Sequence, residues 1–516
     1  MKRYDELRVQ KNAVSLNDFG PVMENLTKKV TDKVRGRLGI KYLFVDEFQD
    51  TDNGQIQSLI WLKKHLQARL FVVGDIKQSI YRFRGAEETA FEKLKEGLGN
   101  SVKNYVLIKN YRTVKGIIAP LNQLFVQWSA HGFLEWKQDA VVGKQTDDTG
   151  GFTPKKYYGA KNLKKTFLDL LPEIDGSICV LNRKNKQVSE VAQWCREAQI
   201  PCIAKTEGGF YQEQAVLDVF HLLGAVLYSA DARYMFNYLI SSYSIVRPEA
   251  ERINGMSGKE KDILDYLTGL ANQNDWQEIK RTARMVPFFQ WIRDIVDTVR
   301  PERVYASVHR KELVKEGFKD ESTLEQQLSY DVEEYVLNLN KLIEILYQAF
   351  ANDFASILTV YLYLLHKIQT DTEEDAVYPQ PKQDGQRLVE CMTVHKAKGL
   401  EWDTVMITHM TEPYIFNPSD FNSKGSANRP YRSFLVHEND NLQLGWYYRD
   451  KNHTYQNESY MKALQEEQEA VEREEARILY VALTRAKHNL YYFVPKYAKE
   501  HTWAGFMSLM DRGMSR

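Results

Sequence analysis

An acidic pair directly after an apolar strand is the first feature of this sequence that could do chemistry. Residues 42–45 (Tyr-Leu-Phe-Val) are predicted to form a strand, and Asp46 and Glu47 follow it immediately. Carboxylates in this position can hold Mg²⁺ and orient a water that attacks a phosphoryl group. Strands also end in ordinary surface acids, so the pair by itself is weak evidence for nucleotide hydrolysis.

Four further blocks follow this pair along the chain. They are VVGDIKQSIYRFRGA (72–86), LIKNYRT (107–113), CMTVHKAKGLEWD (391–403) and ARILYVALTRAKHNL (476–490). The five blocks in this order resemble the superfamily 1 DNA helicases of the UvrD/Rep/PcrA type, and the first of these four resembles the AddA/RecB branch in particular. The resemblance extends from roughly residue 16 to residue 495 and is weakest between 250 and 380.

The resemblance implies catalytic roles for side chains in three of the blocks and in the acidic pair. Asp46 is expected to bind Mg²⁺ through its water shell, and Glu47 is expected to polarise the attacking water. Gln78 resembles the γ-phosphate sensor, since a neutral amide can hydrogen-bond both a phosphate and a water. Arg112 and Arg485 resemble two arginines that reach the γ-phosphate, for which a planar, permanently charged guanidinium is well suited.

The expected cofactors are therefore ATP and Mg²⁺, and four more residues are implied in binding the nucleotide. Tyr111 is expected to stack on the adenine. Gly399 would allow a close backbone approach, and Glu401 resembles an acid that accepts from the ribose hydroxyls. Lys398 is expected near phosphate or DNA.

The block at 72–86 also carries a pattern that suits single-stranded DNA. Tyr81 and Phe83 alternate with Arg82 and Arg84. Aromatic rings stack on bases of any sequence and arginines bind phosphates, so the pattern predicts a sequence-neutral DNA track. Most UvrD-type relatives have tryptophan where Phe83 stands, while the RecB-like branch accepts phenylalanine.

Thr393 and His395 are expected to contact the DNA backbone. A lone histidine is more often a satisfied core residue than a ligand-binding one. The surrounding block, through its resemblance to the family, is what favours the functional interpretation.

The phosphate-binding loop of the family has the form G-x-x-x-x-G-K-[ST], and this sequence does not contain it. The nearest stretches, VVGKQT (141–146) and GMSGKE (255–260), have neither that spacing nor Ser or Thr after the lysine. The glutamine block that recognises adenine in relatives is absent as well. We therefore expect the chain to begin inside the first motor domain, and to be inactive alone.

A missing loop strand predicts an uncovered sheet. Strands at 42–45 and 70–73 would belong to a sheet that is buried on both faces in related motors, where the loop strand lies beside the second of them. Its removal would expose backbone groups and apolar surface. We expect a second chain carrying the loop, or a copy of this chain, to cover the edge; a truncated fragment would leave it bare.

Alternating strands and helices predict an α/β protein with parallel sheets covered by helices on both faces. With the resemblance, this becomes a RecA-like P-loop NTPase motor fold with a truncated first domain and an inserted all-helical domain. The expected segments are a partial first motor domain (1–100), the first part of the second motor domain (101–245), a 2B-like helical insertion (246–385) and the second part of the second motor domain (386–516). Residues 132–155 are predicted to be a surface loop.

Composition limits the remaining classes of function. The 516 residues contain 69 Lys plus Arg and 69 Asp plus Glu, so a DNA-binding groove must be a local feature and not a consequence of net charge. The four cysteines lack zinc-ligand spacing and are expected to be buried thiols. The polar N-terminus and the lack of a membrane-length apolar run predict a soluble, cytoplasmic protein without a membrane partner.

Two classes of function remain open. The first is an ATP-dependent DNA helicase or translocase of DNA repair or recombination, acting on single-stranded DNA and single-strand/double-strand junctions, with 3′→5′ direction implied by the resemblance alone. The second is a non-hydrolysing DNA-binding or scaffold subunit that retains the motor shape. A helicase–nuclease is disfavoured, because no nuclease domain follows the last block. Each block taken alone could consist of ordinary core or surface residues. The occurrence of all five in the same order favours the functional interpretation.

Overall fold

The structure is a computed structural model. The residues that it describes are 37–82, 85–99, 102–136, 142–144, 150–256, 260–370, 372, 374–380, 388–414, 431–438, 441–449 and 453–513. The chain divides into two compact units: unit 1 comprises 1–156, 410–490 and 494–516, and unit 2 comprises 157–409 and 491–493. This division into two units does not test the four domain segments expected from the sequence, which remain a prediction.

Unit 1 begins with a pair of parallel strands covered by two helices. Strand β1 (Tyr42–Val45) pairs with β2 (Arg69–Val72), and the helices are α1 (Asn53–Leu66) and α2 (Ala90–Leu98). The predicted strand at 42–45 is confirmed, and the one predicted at 70–73 lies one residue earlier. Helix α1 starts at a capping box, in which the Asp52 side chain accepts from the Gln55 backbone N–H and the Gln55 side chain accepts from that of Asp52.

The two faces of this strand pair differ in exposure because side chains alternate along a strand. The face towards the helices contributes to a core that includes Phe48, Ile56 and Leu94. The opposite face is exposed, with Phe44 reaching 76% and its ring 5.1 Å from that of Phe71. We call this surface the aromatic face; its members are Tyr42, Phe44, Phe71 and Val73.

The rest of unit 1 surrounds a long helix. Its elements are β3 (Lys109–Val114), α3 (Lys115–Ala130), β4 (Val142–Lys144), β10 (Tyr431–Glu438), β11 (Asn441–Arg449), β12 (Thr454–Gln456), α15 (Glu458–Leu483) and α16 (Trp503–Gly513). Strands β3 and β4 pair in parallel, whereas β10, β11 and β12 form an antiparallel sheet. Two buried side chains anchor the first helix of this group: Thr113 Oγ1 donates to the Ala486 carbonyl at 2.8 Å, and Trp128 Nε1 donates to the Phe506 carbonyl at 3.0 Å.

A six-stranded sheet runs in the order β5-β13-β9-β6-β8-β7. Its strands are β5 (Gly151–Tyr157), β6 (Ile178–Asn182), β7 (Cys202–Lys205), β8 (Val389–Thr393), β9 (Trp402–Ile407) and β13 (Ala486–Pro495). Strand β6 pairs in parallel with β8 and β9, and β8 pairs in parallel with β7. Every residue of β6 and β8 is buried, as expected for parallel strands with both faces covered. Helices α4 (Ala160–Leu170) and α5 (Asn185–Glu197) pack against this sheet, and all four cysteines are buried free thiols, as predicted.

The loop predicted at 132–155 is wrong at β4 and again at its end, where β5 begins. The Gly-rich stretch that suggested a turn instead permits a close approach between backbones. A Cβ atom at Gly150 would lie 2.0 Å from the His488 carbonyl oxygen in β13. Part of the remainder of this loop lies outside the described residues.

One side chain closes the outer edge of the six-stranded sheet at β7, the last strand in its order. The Gln327 carboxamide is fully buried; its Oε1 accepts from the Cys202 N–H at 2.7 Å, and its Nε2 donates to the Cys202 carbonyl at 3.0 Å. The same Nε2 donates to Asp331 Oδ1 at 2.8 Å. The side-chain amide thus takes the place that a neighbouring strand would occupy at this residue.

Helices fill the chain from residue 214 to residue 369. They are α6 (Gln214–Leu227), α7 (Ala232–Ile240), α8 (Ala250–Gly255), α9 (Glu260–Ala271), α10 (Trp276–Met285), α11 (Phe288–Val299), α12 (Pro301–Glu316), α13 (Glu321–Ala349) and α14 (Ile357–Gln369). The described residues between 246 and 369 form helices and no strand, as expected for the insertion, while its bounds (246–385) remain a prediction. Helices α6 and α7, which precede that range, share one apolar core with later helices, including Leu222, Tyr238, Trp276 and Leu342. Within the part of the chain that the structure describes, no helix combines the length and apolarity needed to cross a membrane.

Two half-buried acids make stability depend on pH: Glu334 near the middle of α13 and Glu213 just before α6. Burial, followed by the neighbouring charges of Glu213 and Asp331, raises the pKa of Glu334 to about 9, with Arg196 and Lys205 opposing. Burial alone raises the pKa of Glu213 to about 7. An acid whose pKa is higher in the folded state favours folding most below its unfolded value, so stability is lost as the pH rises from about 4.5 towards 9.

We expect Glu334→Gln to stabilise the protein, by about 2–3 kcal/mol at pH 7, because it removes the cost of keeping this carboxyl protonated. The gain should be small at pH 5 and should grow up to pH 8, as measured by thermal unfolding at each pH. Glu344→Gln, at an exposed glutamate of the same helix, should change the melting temperature little. A Glu334→Gln protein that is less stable than the wild type at pH 8 would contradict this expectation.

Candidate nucleotide and nucleic-acid site

The predicted acidic pair lies at the end of β1, with both residues exposed. The Glu47 N–H donates to Asp46 Oδ1 at 2.8 Å, and Glu47 has a φ of 50°, in the left-handed region. A non-glycine residue there is uncommon and is typical of functional sites. The arrangement leaves carboxylate oxygens at the strand end, where a hydrated, oxygen-seeking cation such as Mg²⁺ could be held.

A buried glutamine links this pair to the end of β2. Gln49 is 1% exposed; its Nε2 donates to Glu47 Oε2 at 2.5 Å, and its Oε1 accepts from the Asp75 N–H at 2.9 Å. A Cβ at Gly74 would lie 2.3 Å from Gln49 Oε1, so only glycine fits there. Sequence reasoning missed Gln49, although it lies in the same block as the acids.

The second predicted group assembles around the end of α15. Gln78 lies in a short turn after β2, where its Nε2 donates to Asp75 Oδ2 at 3.1 Å. Arg485 is 2% exposed; its Nη2 lies 3.4 Å from Gln78 Oε1, and its Nε donates to the Val481 carbonyl at 2.9 Å. Two residues that are about 400 positions apart are therefore in contact, and their roles at the γ-phosphate remain a prediction.

Arg112 reaches the same place. Its Nη1 donates to the Thr484 carbonyl at 3.1 Å, one residue before Arg485. Burial, followed by the like charge of Arg112, lowers the pKa of Arg485 to about 10, while Tyr480, Asp75 and Glu47 oppose the shift. Arg485 still carries its charge at neutral pH, so two guanidinium groups face a site that a polyphosphate would complement.

Asp75 and Tyr480 are further members that sequence reasoning did not assign. The Tyr480 hydroxyl donates to Asp75 Oδ2 at 3.3 Å, and Lys77 Nζ lies 2.6 Å from Asp75 Oδ1. Both residues stand inside the blocks quoted above, and their positions next to Gln78 and Arg485 are the signal that could have identified them. They orient the side chains that line the site.

The predicted adenine platform is accessible. Tyr111 is 71% exposed, and Lys109 Nζ lies 4.9 Å from the centroid of its ring. A flat exposed ring can accept a base by stacking. Its role remains a prediction.

Thr393 and His395 lie in unit 2 and are both buried. Thr393 Oγ1 donates to Glu207 Oε1 at 2.6 Å, and His395 Nδ1 lies 3.3 Å from the same oxygen. Although burial opposes ionisation, hydrogen bonds from His395 and Thr393 lower the pKa of Glu207 to about 2. The DNA-backbone contacts expected of Thr393 and His395 remain a prediction, and Glu207 is a partner that sequence reasoning missed.

The remaining nucleotide residues form the loop between β8 and β9, also in unit 2. Gly399 has a φ of 82°, which favours glycine, and it is exposed together with Glu401. Lys398 is half-buried. The structure thus places Lys398, Gly399 and Glu401 in a different unit from Glu47, Gln78, Arg112 and Arg485.

Only part of the predicted DNA track can be placed. Tyr81 is half-buried, and Arg82 makes a bidentate ion pair with Glu467, with its Nη1 and Nη2 at 3.1 and 2.5 Å from the two carboxylate oxygens. Phe83 and Arg84 lie outside the described residues.

Family models match most of the sequence. The model described as "UvrD/REP helicase N-terminal domain" matches residues 1–98, and the model described as "UvrD-like helicase C-terminal domain" matches residues 105–496. The second match alone covers more than half of the chain.

Curated relatives are similar over nearly the whole chain at low identity. An ATP-dependent helicase/nuclease protein of Lactobacillus johnsonii is 23% identical, with 95% of this chain and 43% of the relative covered. The "RecBCD enzyme subunit RecB" of Haemophilus influenzae is 25% identical, with 89% and 36% covered. The "ATP-dependent DNA helicase Rep" of Buchnera aphidicola is 22% identical, with 89% and 63% covered. The chain therefore spans less than two thirds of the length of these relatives.

Proposed function

The chain belongs to the UvrD-like helicase family, and from that premise we propose that it is the core of an ATP-dependent, single-stranded DNA motor. The observation that carries the proposal is the convergence of Gln78, Arg112 and Arg485 at the end of α15, within electrostatic reach of Glu47. Glu47 and Gln78 follow adjacent parallel strands, so their proximity has a structural reason; the approach of Arg112 and Arg485, from distant parts of the sequence, is what matches the needs of phosphoryl transfer.

In this proposal each side chain has a separate task. Glu47 positions and polarises the attacking water, and Gln49 fixes the direction of its carboxylate. Arg112 and Arg485 neutralise charge that develops on the γ-phosphate, and Gln78 senses that group through the amide that Arg485 already contacts. Mg²⁺, held through Asp46, would supply further charge neutralisation. Tyr111, Lys398, Gly399 and Glu401 are proposed to hold the base, ribose and phosphates.

We propose in addition that the phosphate-binding loop comes from outside these 516 residues. The sequence has no G-x-x-x-x-G-K-[ST], and the aromatic face in unit 1 offers a surface for the polypeptide that carries it. Parallel strands with one face open to water are unusual, because parallel sheets are normally covered on both faces. The same polypeptide could bring the loop to the ends of β1 and β2, where Asp46, Glu47 and Gln78 lie.

In this proposal the residues that bind DNA are Tyr81, Phe83, Arg84, Thr393 and His395. Single-stranded DNA and its junctions with duplex DNA are the proposed substrates, in repair or recombination, and the cytoplasm is the proposed location. A non-hydrolysing DNA-binding scaffold is the second candidate, favoured by the same missing loop motif.

The deciding measurement is ATP hydrolysis by the purified chain with single-stranded DNA, alone and after addition of a polypeptide encoded beside it that carries the loop motif. No ATP hydrolysis by the chain alone, together with hydrolysis in the mixture, would support the motor. ATP hydrolysis by the chain alone would show that a phosphate-binding element lies within the 516 residues. It would contradict the proposal that another polypeptide supplies the loop. DNA binding without turnover in either sample would favour the scaffold.

Phe44→Lys is expected to weaken binding of the loop-bearing polypeptide at least tenfold, roughly the cost of losing a central apolar anchor of an interface. Binding can be followed by analytical ultracentrifugation. Tyr497→Lys, at a residue 78% exposed in the same unit, is the matched control and should leave binding unchanged.

Two other outcomes have clear meanings. Unchanged binding by the Phe44→Lys chain would contradict a role for the aromatic face. Dissociation of a dimer of the chain itself by the same substitution would identify a second copy as its cover.

A further inference from the structure

Arg477 of α15 is a buried arginine that bonds two separate points of an earlier part of the same polypeptide. It is not among the residues predicted from the sequence. Arg477 is 5% exposed. Its Nε donates to the Ser79 carbonyl at 2.8 Å, and its Nη1 donates to Glu88 Oε1 at 2.7 Å. One guanidinium therefore joins the two ends of residues 79–88, which we call the 79–88 segment.

The 79–88 segment contains the described part of the proposed DNA track. Tyr81 lies two residues after Ser79, and its carbonyl accepts from the Ala86 N–H at 3.3 Å, so the chain turns back on itself. Arg82 is held by Glu467, nearly three turns before Arg477 on the same helix by its position in the sequence. Helix α15 thus contacts the segment at both ends and near its middle.

The contacts of Arg477 are hard to replace. Burial opposes ionisation of Glu88, but the charges of Arg477 and then Arg473 lower its pKa, so the ion pair persists at neutral pH. Ser79 is itself buried, and its hydroxyl donates to the Gln49 carbonyl at 3.0 Å. A lysine could reach one partner as a point charge, whereas bonding both needs the fork of a guanidinium.

We propose that Arg477 is a positioning residue for single-stranded DNA: by tying Ser79 to Glu88 it sets the orientation in which Tyr81 meets a base. This inference rests on the proposed function. It also gives the helix a linking role, because Gln78 precedes Ser79 and contacts Arg485, which lies just beyond the end of α15. The nucleotide sensor and the DNA-stacking residue are thereby attached to one helix.

The test uses the full chain and a fluorescein-labelled oligo-dT of 20 nucleotides, with binding followed by fluorescence anisotropy. We expect Arg477→Gln to weaken binding about tenfold, similar to Tyr81→Ala. Because Arg477 acts through Tyr81, the double variant should bind no more weakly than Tyr81→Ala. This non-additivity is a readout that general destabilisation would not produce.

Arg473→Gln is the matched control. Arg473 Nε donates to the same Glu88 oxygen at 3.2 Å from the same helix face, so the variant loses equal charge near the segment. Its affinity should stay within about twofold of the wild type, since the substitution leaves both bonds of Arg477, to Ser79 and to Glu88, in place. Arg477→Lys, which keeps the charge and serves if Arg477→Gln fails to fold, should bind at an intermediate level.

Three results would overturn the inference: wild-type affinity in both Arg477 variants, additive losses in the double variant, or an equal loss in Arg473→Gln. Failure of the proposed function would give a different result: the wild-type chain itself would not bind the oligonucleotide. In that case this inference would also fail.

Discussion

Glu47→Gln is expected to lower kcat for ATP hydrolysis by about three orders of magnitude in the active assembly, while the affinity for ATP changes little. A general base contributes on the order of 10²–10⁴ to a rate, and glutamine cannot polarise the water as a carboxylate does. The contact of Gln49 Nε2 with Glu47 Oε2 makes the orientation of the carboxylate part of this effect.

Steady-state hydrolysis with saturating single-stranded DNA measures this expectation. Glu92→Gln, which removes an exposed acid from α2, should retain full turnover. A Glu47→Gln protein with more than a tenth of the wild-type kcat would show that another group activates the water.

Arg485→Ala is the second substitution with a large expected effect, a loss of about 10³-fold or more in kcat. The side chain is buried against Val481 and Gln78, so the variant removes a fixed positive charge from the place where phosphate charge develops. Arg485→Lys should restore little, because lysine lacks the planar fork.

Comparison with Arg112→Ala refines this expectation. If the two arginines act on the same group, the double variant should lose less than the product of the single losses. Arg281→Gln, which breaks an exposed ion pair with Glu278 outside the site, is the control for loss of one arginine. A rise in KM with unchanged kcat would assign Arg485 to binding instead of to the transition state.

The sequence predicts which strand ends lie side by side better than it predicts the contacts among the side chains there. Glu47 and Gln78 follow adjacent parallel strands, whose ends must meet at one edge, so their proximity could be predicted. Gln49 and Tyr480 could not be assigned in the same way, because each acts through a contact with Asp75 that depends on tertiary packing.

Strand register explains why sequence reasoning missed Glu207. Lys205 of β7 is paired with Met392 of β8, so the chain just after β7 runs beside Thr393, the last residue of β8, and Glu207 contacts its hydroxyl. Nothing within the stretch around Glu207 indicates this, because the pairing joins segments almost 190 residues apart. The error at β5 has the same origin, since Gly150, just before β5, fits against a strand more than 330 residues later in the chain.

The carboxamide of Gln327 has a consequence for how copies of this protein can meet. A foreign β-segment needs free main-chain donors and acceptors to polymerise onto a sheet, and at Cys202 both are already taken. Addition of an intermolecular strand along β7 is therefore disfavoured at Cys202, where both hydrogen bonds to Gln327 would first have to break.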